Sequence, residues 1–158
     1  MTIDPILSAS AEVQLHLLAA LAALALTPVM LWRPKGTPRH KALGRIWVAA
    51  MALTAVSSFW VMEIRLIGPW SPIHILSLIT LGSLFQAVRA ARARNIVAHK
   101  QYIFGAMMGL LGAGLFTLAP GRILSDSLFA GFETRAFAIV LVLGGAGLFW
   151  LARRWRAG

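Results

Sequence analysis

An all-α integral membrane protein is the fold class this sequence predicts, and three observations predict it. Five apolar runs follow one another along the chain, each of roughly 16–20 residues, near the minimum that spans the hydrocarbon core of a bilayer as a helix. Only 13% of the 158 residues are charged and mean hydropathy is +0.77, whereas a soluble domain carries about 25% charged residues. The basic residues cluster between alternate runs instead of being spread through them. Helix is the only sensible conformation, because a backbone facing lipid must satisfy its own hydrogen bonds.

The first run covers residues 15–32, with an Ala-rich stretch (Ala19, Ala20, Ala22, Ala23, Ala25) and Pro28 near its end. The second covers about 42–62, the third 73–88, the fourth 102–119 and the fifth about 137–152. Pro120-Gly121 stops the fourth run. Residues 123–132 read as an interfacial amphipathic turn or an early extension of the fifth. The expected organisation is a four-helix membrane domain over 1–125, its hairpins about 14–65 and 72–122. A loop, a fifth transmembrane helix and a basic tail follow over 126–158.

Charge sets the expected orientation. Arg33, Lys35, Arg39, Lys41 and Arg45 surround the first loop, Arg89, Arg92, Arg94 and Lys100 the third, and Arg153, Arg154 and Arg156 end the chain. These are 12 of the 15 basic residues, and the positive-inside rule makes their side cytoplasmic. All five acids (Asp4, Glu12, Glu63, Asp126, Glu133) fall at the other side. The expectation is an inner-membrane protein with its N-terminus outside and its C-terminus in the cytoplasm. Trp60 and Trp70 mark the outer interface, and Trp32, Trp150 and Trp155 the inner one. The N-terminus lacks a basic n-region and reads as an uncleaved, outward-facing start.

Composition also excludes chemistry. Zero Cys rules out disulfides, thiolate catalysis, iron–sulfur ligation and c-type haem attachment. The net charge of +10 does not point to nucleic acid, because it lies beside long apolar runs and no DNA- or RNA-reading motif accompanies it. No Ser-His-Asp arrangement, P-loop or zinc-protease motif is present.

An internal repeat organises the polar residues. Gln14-Leu-His16 opens the first run and Pro72-Ile-His74 the third; His40-Lys41 precedes the second and His99-Lys100 the fourth. The histidines are 24 residues apart in the first half and 25 in the second. The halves then close on Arg65 and Arg122. Both hairpins run out–in–out, as in a parallel repeat about an axis along the membrane normal. The repeat predicts that His16 and His74 face each other near the outer surface and His40 and His99 near the inner one. The first pair is expected just inside the helices and the second just before them.

Two readings of these residues stand side by side. In the first, His16 and His74 ligate an outer haem b, His40 and His99 an inner one, and Arg65 and Arg122 neutralise propionates. A quinone or membrane redox protein would be the partner. A variant has His16 and His74, with Glu63, around a metal ion. In the second, the protein is a non-enzymatic transporter or accessory subunit, with Glu63, His74 and Arg122 as a proton- or substrate-responsive outer site. The plain alternative for the outer cluster is helix capping and ion pairing. For His40 and His99 it is contact with lipid phosphates beside the basic loops. Gly105 and Gly109 form a small-xxx-small pattern that suits helix packing or an oligomer face. Met51, Met62, Met107 and Met108 read as packing residues.

The stretches Pro34-Lys-Gly-Thr-Pro-Arg-His-Lys-Ala-Leu-Gly-Arg-Ile-Trp-Val48, Ser57-Ser-Phe, Glu63-Ile-Arg65, Gly68-Pro-Trp-Ser-Pro-Ile-His-Ile-Leu-Ser77, His99-Lys100 and Phe116-Thr-Leu-Ala-Pro-Gly-Arg122 carry a family likeness. Together they resemble the bacterial membrane-protein family catalogued as domain of unknown function 2306. The resemblance covers about residues 14–125 and leaves the fifth run outside. Family members often carry His just before Glu-x-Arg, where this chain has Met62. The resemblance implies a multi-span bacterial inner-membrane protein and no particular activity.

Overall fold

The computed structural model of the chain describes residues 4–61 and 72–117, and positions 139, 142, 146 and 147 besides. All secondary structure among them is helical: α1 Asp4–Leu7, α2 Ala11–Trp32, α3 Pro38–Ser57, α4 Pro72–Arg92 and α5 Ile96–Phe116. A single 3-10 turn, Ser58–Trp60, extends α3. The chain divides into two compact units, residues 10–110 and a second made of 1–9 with 111–158.

The helix starts are set by their caps. Thr37 accepts a hydrogen bond from the His40 N–H, and Pro38 takes the first helical position, where a missing N–H costs nothing. Asn95 does the same for α5 by accepting from the Ala98 N–H. Apolar runs therefore underestimate these helices, because each opens on a polar first turn. His40 and His99 lie inside α3 and α5, not just before them as the runs suggest.

The helix ends are equally specific. Arg33 precedes Pro34, which pushes it out of the helical region to an extended ψ of 145° and stops α2. The Lys35 ammonium turns back and donates to the carbonyls of Met30, Leu31 and Arg33, at 2.6–3.0 Å. Gly36 follows at φ 79°, a conformation that favours glycine. α4 ends in a Schellman motif: Asn95 N–H donates to the Ala90 carbonyl and Arg94 N–H to that of Ala91. Arg94 occupies the left-handed position of that motif at φ 57°.

Within residues 10–110, α2 and α3 pack antiparallel. Buried Trp47 of α3 donates its indole N–H to the Ala23 carbonyl and the Thr27 hydroxyl of α2, at 3.1 and 3.0 Å. α4 lies against the far end of α3, where the Ser58 and Ser77 hydroxyls bond. α5 folds back on α4, and a Cβ added at Gly109 would sit 3.4 Å from the Leu76 side chain. Gly109 is thus spent on packing inside the chain, whereas Gly105 faces open space. The core is narrow and built from small residues and thioethers, among them Ala23, Met51, Ala55, Ala87 and Met107.

The outer surface of these helices is apolar. Leu18, Phe85 and Val97 are each about two-thirds exposed (66%, 68% and 69%). Such a surface is at home in hydrocarbon, where association rests on close packing and interhelical hydrogen bonds. Three helical segments are long and apolar enough to cross a membrane: Ala11–Trp32, Pro38–Trp60 and Ile73–Arg92. α5 is not among them; His99, Lys100 and Gln101 occupy its opening turns. The second unit, taken by itself, contains α1, whose Asp4 carbonyl accepts from the Ser8 hydroxyl at 2.8 Å. In the same unit the Thr117 hydroxyl donates to the Gly114 carbonyl at 2.7 Å.

Candidate functional site

The end of α3 leaves carbonyls without helical partners, and polar side chains gather to meet them. Ser57 donates its hydroxyl to the Thr54 carbonyl at 3.1 Å, and Ser58 its own to that of Ala55 at 2.8 Å. From α2, His16 brings Nδ1 to 2.9 Å from the same Thr54 carbonyl and 3.1 Å from the Ser57 hydroxyl. From α4, Ser77 bonds Ser58, and the His74 ring stacks on Phe59 with centroids 5.4 Å apart and planes 4° from parallel. His74, Ser57, Ser58 and Ser77 are all buried. Residues 57–59 therefore tie the first and third spanning segments to the second at one level, with His16 on one flank and His74 on the other.

The contact at His16 fixes its proton. A carbonyl oxygen only accepts, so the Nδ1 that faces Thr54 must carry the hydrogen, and in the neutral ring the lone pair falls on Nε2. The same logic holds at the opposite end of the bundle. His99 Nδ1 lies 2.9 Å from the Ala87 carbonyl of α4, so it too carries a hydrogen on Nδ1. An N–H given to a backbone carbonyl is the usual support of a metal- or haem-ligating imidazole.

A second cluster forms where α2 hands over to α3 and α4 to α5. His40 lies within electrostatic reach of both Lys35 and His99. The Nδ1 of His40 is buried and has no hydrogen-bond partner among the described residues. Lys35 lies within reach of Lys100. Burial first, and then the Lys100 charge, hold the Lys35 ammonium below its ordinary pKa. Counted from the first helical residue, His40 is the third of α3 and His99 the fourth of α5. Measured instead between the capping residues Thr37 and Asn95, the offset is 58, the same as between His16 and His74.

Of the residues singled out from the sequence, His40 and His99 lie within electrostatic reach of each other, and His16 and His74 flank the same turn. Glu63, Arg65, Arg122, Met62 and Trp70 lie outside the described residues, as do most of 118–158. Among the described residues no three His, Asp or Glu side chains converge as a metal-ligand group. Sequence reasoning passed over Trp47, which is not an interfacial marker but a buried hydrogen-bond donor between α2 and α3. It also passed over the Ser57, Ser58 and Ser77 hydroxyls. Their signal was present: three serines within otherwise apolar spanning segments need partners.

No curated protein and no solved structure matches the chain. A family of predicted membrane proteins matches it over residues 13–154, so the likeness runs on through the fifth apolar run, which the motifs alone had placed outside it. The chain therefore belongs to the membrane-protein family catalogued as domain of unknown function 2306.

Proposed function

We propose that the chain is a five-span protein of the bacterial inner membrane, N-terminus outside and C-terminus in the cytoplasm, that carries electrons through b-type haem. Two repeated hairpins and a C-terminal span make up this reading. His16 and His74 would hold a haem at the outer end, and His40 and His99 one at the inner end. Arg65 and Arg122 would neutralise its propionates, and a quinone or membrane redox protein would be its electron partner. The observation that carries the reading is the paired anchoring of His16 and His99. Each gives its Nδ1–H to a backbone carbonyl of a neighbouring helix at 2.9 Å, which supports Nε2 as the nitrogen that would ligate. Haem needs only two protein ligands, so it does not require the three-residue cluster of a caged metal ion.

The test is a reduced-minus-oxidised visible spectrum of protein purified from haem-sufficient cells. Soret and α bands are expected, diminished in His16→Ala and His99→Ala; a colourless protein overturns the reading.

A second reading is favoured by a different observation. Ser58–Ser77, Trp47–Thr27 and the Phe59–His74 stack are all interhelical ties, which a cofactor-free accessory subunit or small transporter would also need. Glu63, His74 and Arg122 then form the proton- or substrate-responsive outer site. Proton flux into proteoliposomes that Glu63→Gln abolishes would support it; flux indifferent to that change would remove it.

A further inference from the structure

The two hairpins are packed differently at matching places. The offset of 58 that relates Thr37 to Asn95 and His16 to His74 also relates Trp47 to Gly105 and Met51 to Gly109. Trp47 fills the space between α2 and α3, and Met51 is buried one turn further on. α5 has glycine at both places. At Gly109 the gap is closed by α4: an added Cβ would meet the Leu76 side chain at 3.4 Å and the Thr80 hydroxyl at 3.8 Å. One turn nearer the start of α5, a Cβ at Gly105 would meet nothing within 4 Å, and the residue is exposed. The ring that Trp47 supplies in the first hairpin thus has no counterpart in the second, where Gly105 leaves a recess.

Glycines alone only make room; Thr80 gives the recess a polar wall. Thr27, Thr37, Thr54 and Thr117 each donate their hydroxyl to a backbone carbonyl of their own segment. Thr80 is buried, at 8% exposure, and its hydroxyl has no hydrogen-bond partner among the described residues. A buried hydroxyl left without a bond is costly, so an acceptor brought to it is favoured. It is turned towards α5 at Gly109, one turn from the recess. The first hairpin pairs a ring with a threonine, Trp47 with Thr27 at 3.0 Å. The second has the threonine and lacks the ring.

Three properties define what fits. The ligand is flat, because it takes the place of an indole. It carries an oxygen that accepts from a hydroxyl. It is soluble in lipid, because the recess opens on the apolar surface of the helices, with Tyr102 exposed one turn away on the same face of α5. A quinone has all three, and a threonine hydroxyl can donate to its carbonyl and accept from the hydroxyl of its reduced form. We propose that the recess at Gly105, with Thr80 beside it, holds the ring of a membrane quinone and leaves the isoprenoid tail in the bilayer. This gives the quinone of the haem reading a place on the protein, and rests on that reading only for the use to which the quinone is put.

The test is a titration of delipidated, detergent-solubilised full-length protein, read by native mass spectrometry. The probes are a benzoquinone bearing a single isoprenoid unit, its quinol, and the same isoprenoid chain as an alcohol without the ring. Quinone and quinol are expected to bind with a discrete stoichiometry, and the alcohol not to bind. Gly105→Trp, which gives α5 the ring that α3 already has, should abolish quinone binding. Thr80→Val should weaken it about fivefold, the worth of one hydrogen bond, and Thr80→Ser should bind as the native chain does. Gly82→Trp, an equal bulk at an exposed glycine of α4 with open space around it, should leave binding unchanged. Thr80→Val keeps its shape and guards against a Gly105→Trp chain that fails to fold, and the comparison of ring with tail needs only the native chain. Equal binding of quinone and alcohol, quinone binding indifferent to Gly105→Trp or to Thr80→Val, or an equal loss in Gly82→Trp overturns the site. A colourless protein that binds quinone overturns the haem reading alone, and a haem protein that binds no quinone overturns this site alone.

Discussion

The indole N–H of Trp47 reaches the hydroxyl of Thr27 at 3.0 Å, and that hydroxyl in turn donates to the Ala23 carbonyl at 2.8 Å. Three polar groups thereby satisfy one another in the dry interior between α2 and α3. Thr27→Val keeps the shape and removes the middle member, leaving the indole with the Ala23 carbonyl alone. Interhelical hydrogen bonds in membranes are each worth about 0.6–2 kcal/mol. Thr27→Val should therefore lower stability by roughly 1 kcal/mol, measured by unfolding in mixed micelles. Trp47→Phe should cost more, since it loses the donor and leaves a void. A Thr27→Val protein as stable as the native one would show that the hydroxyl carries no net weight.

His16 and His99 should both be Nδ1–H tautomers. Nitrogen-15 spectra of histidine-labelled protein near neutral pH are the check, since protonated and unprotonated ring nitrogens resonate far apart. The assignment fails if Nε2 of either ring carries the proton. Ser57→Ala should leave the tautomer of His16 in place, because the Thr54 carbonyl remains its acceptor.

Much of this arrangement was legible in the sequence, and what was not has physical causes. The spanning segments announce themselves through apolar length, and the junctions through Thr37-Pro38, Asn95 and Gly36. A polar first turn hides a helix start from hydropathy, so the apolar runs place His40 and His99 before the helices that contain them. The serines at 57, 58 and 77 were visible as letters, but which helix each would meet depends on the rotation of the helix about its axis. Periodicity is nearly silent about rotation here, since lipid-facing and buried positions are both apolar. Trp47 was hidden for a related reason: tryptophan near a membrane signals an interface by default, and only a partner such as Thr27 shows otherwise.

Lys35 offers a test of both capping and pH dependence. Lys35→Ala strips three donors from the last carbonyls of α2 and should cost about 0.5–1 kcal/mol. The charged form is disfavoured in the folded chain by burial and then by Lys100, so the folded pKa lies below the ordinary lysine value of 10.5. Between those two values the unfolded chain binds more protons, and the contribution of this group to stability rises with pH until 10.5 is passed. Lys100→Gln removes the second cause and should shrink that rise, in unfolding free energies followed through the alkaline range. A rise of unchanged size would mean that Lys100 does not act on Lys35.

Arg94 holds a conformation for which its side chain is poorly suited. It closes α4 at φ 57° in the position of a Schellman motif that glycine usually fills. A residue with a Cβ pays about 1–2 kcal/mol there. Glycine avoids that cost but gives back about 0.5–1 kcal/mol through its freer unfolded chain. Arg94→Gly should therefore stabilise the protein by roughly 0.5–1 kcal/mol, while Arg94→Val, with branching at Cβ, should destabilise it by about 1 kcal/mol or more. Thermal unfolding of the two variants in the same detergent separates them. The order is what matters: if valine matched or exceeded arginine, the left-handed turn between α4 and α5 would not be the conformation the protein holds in solution.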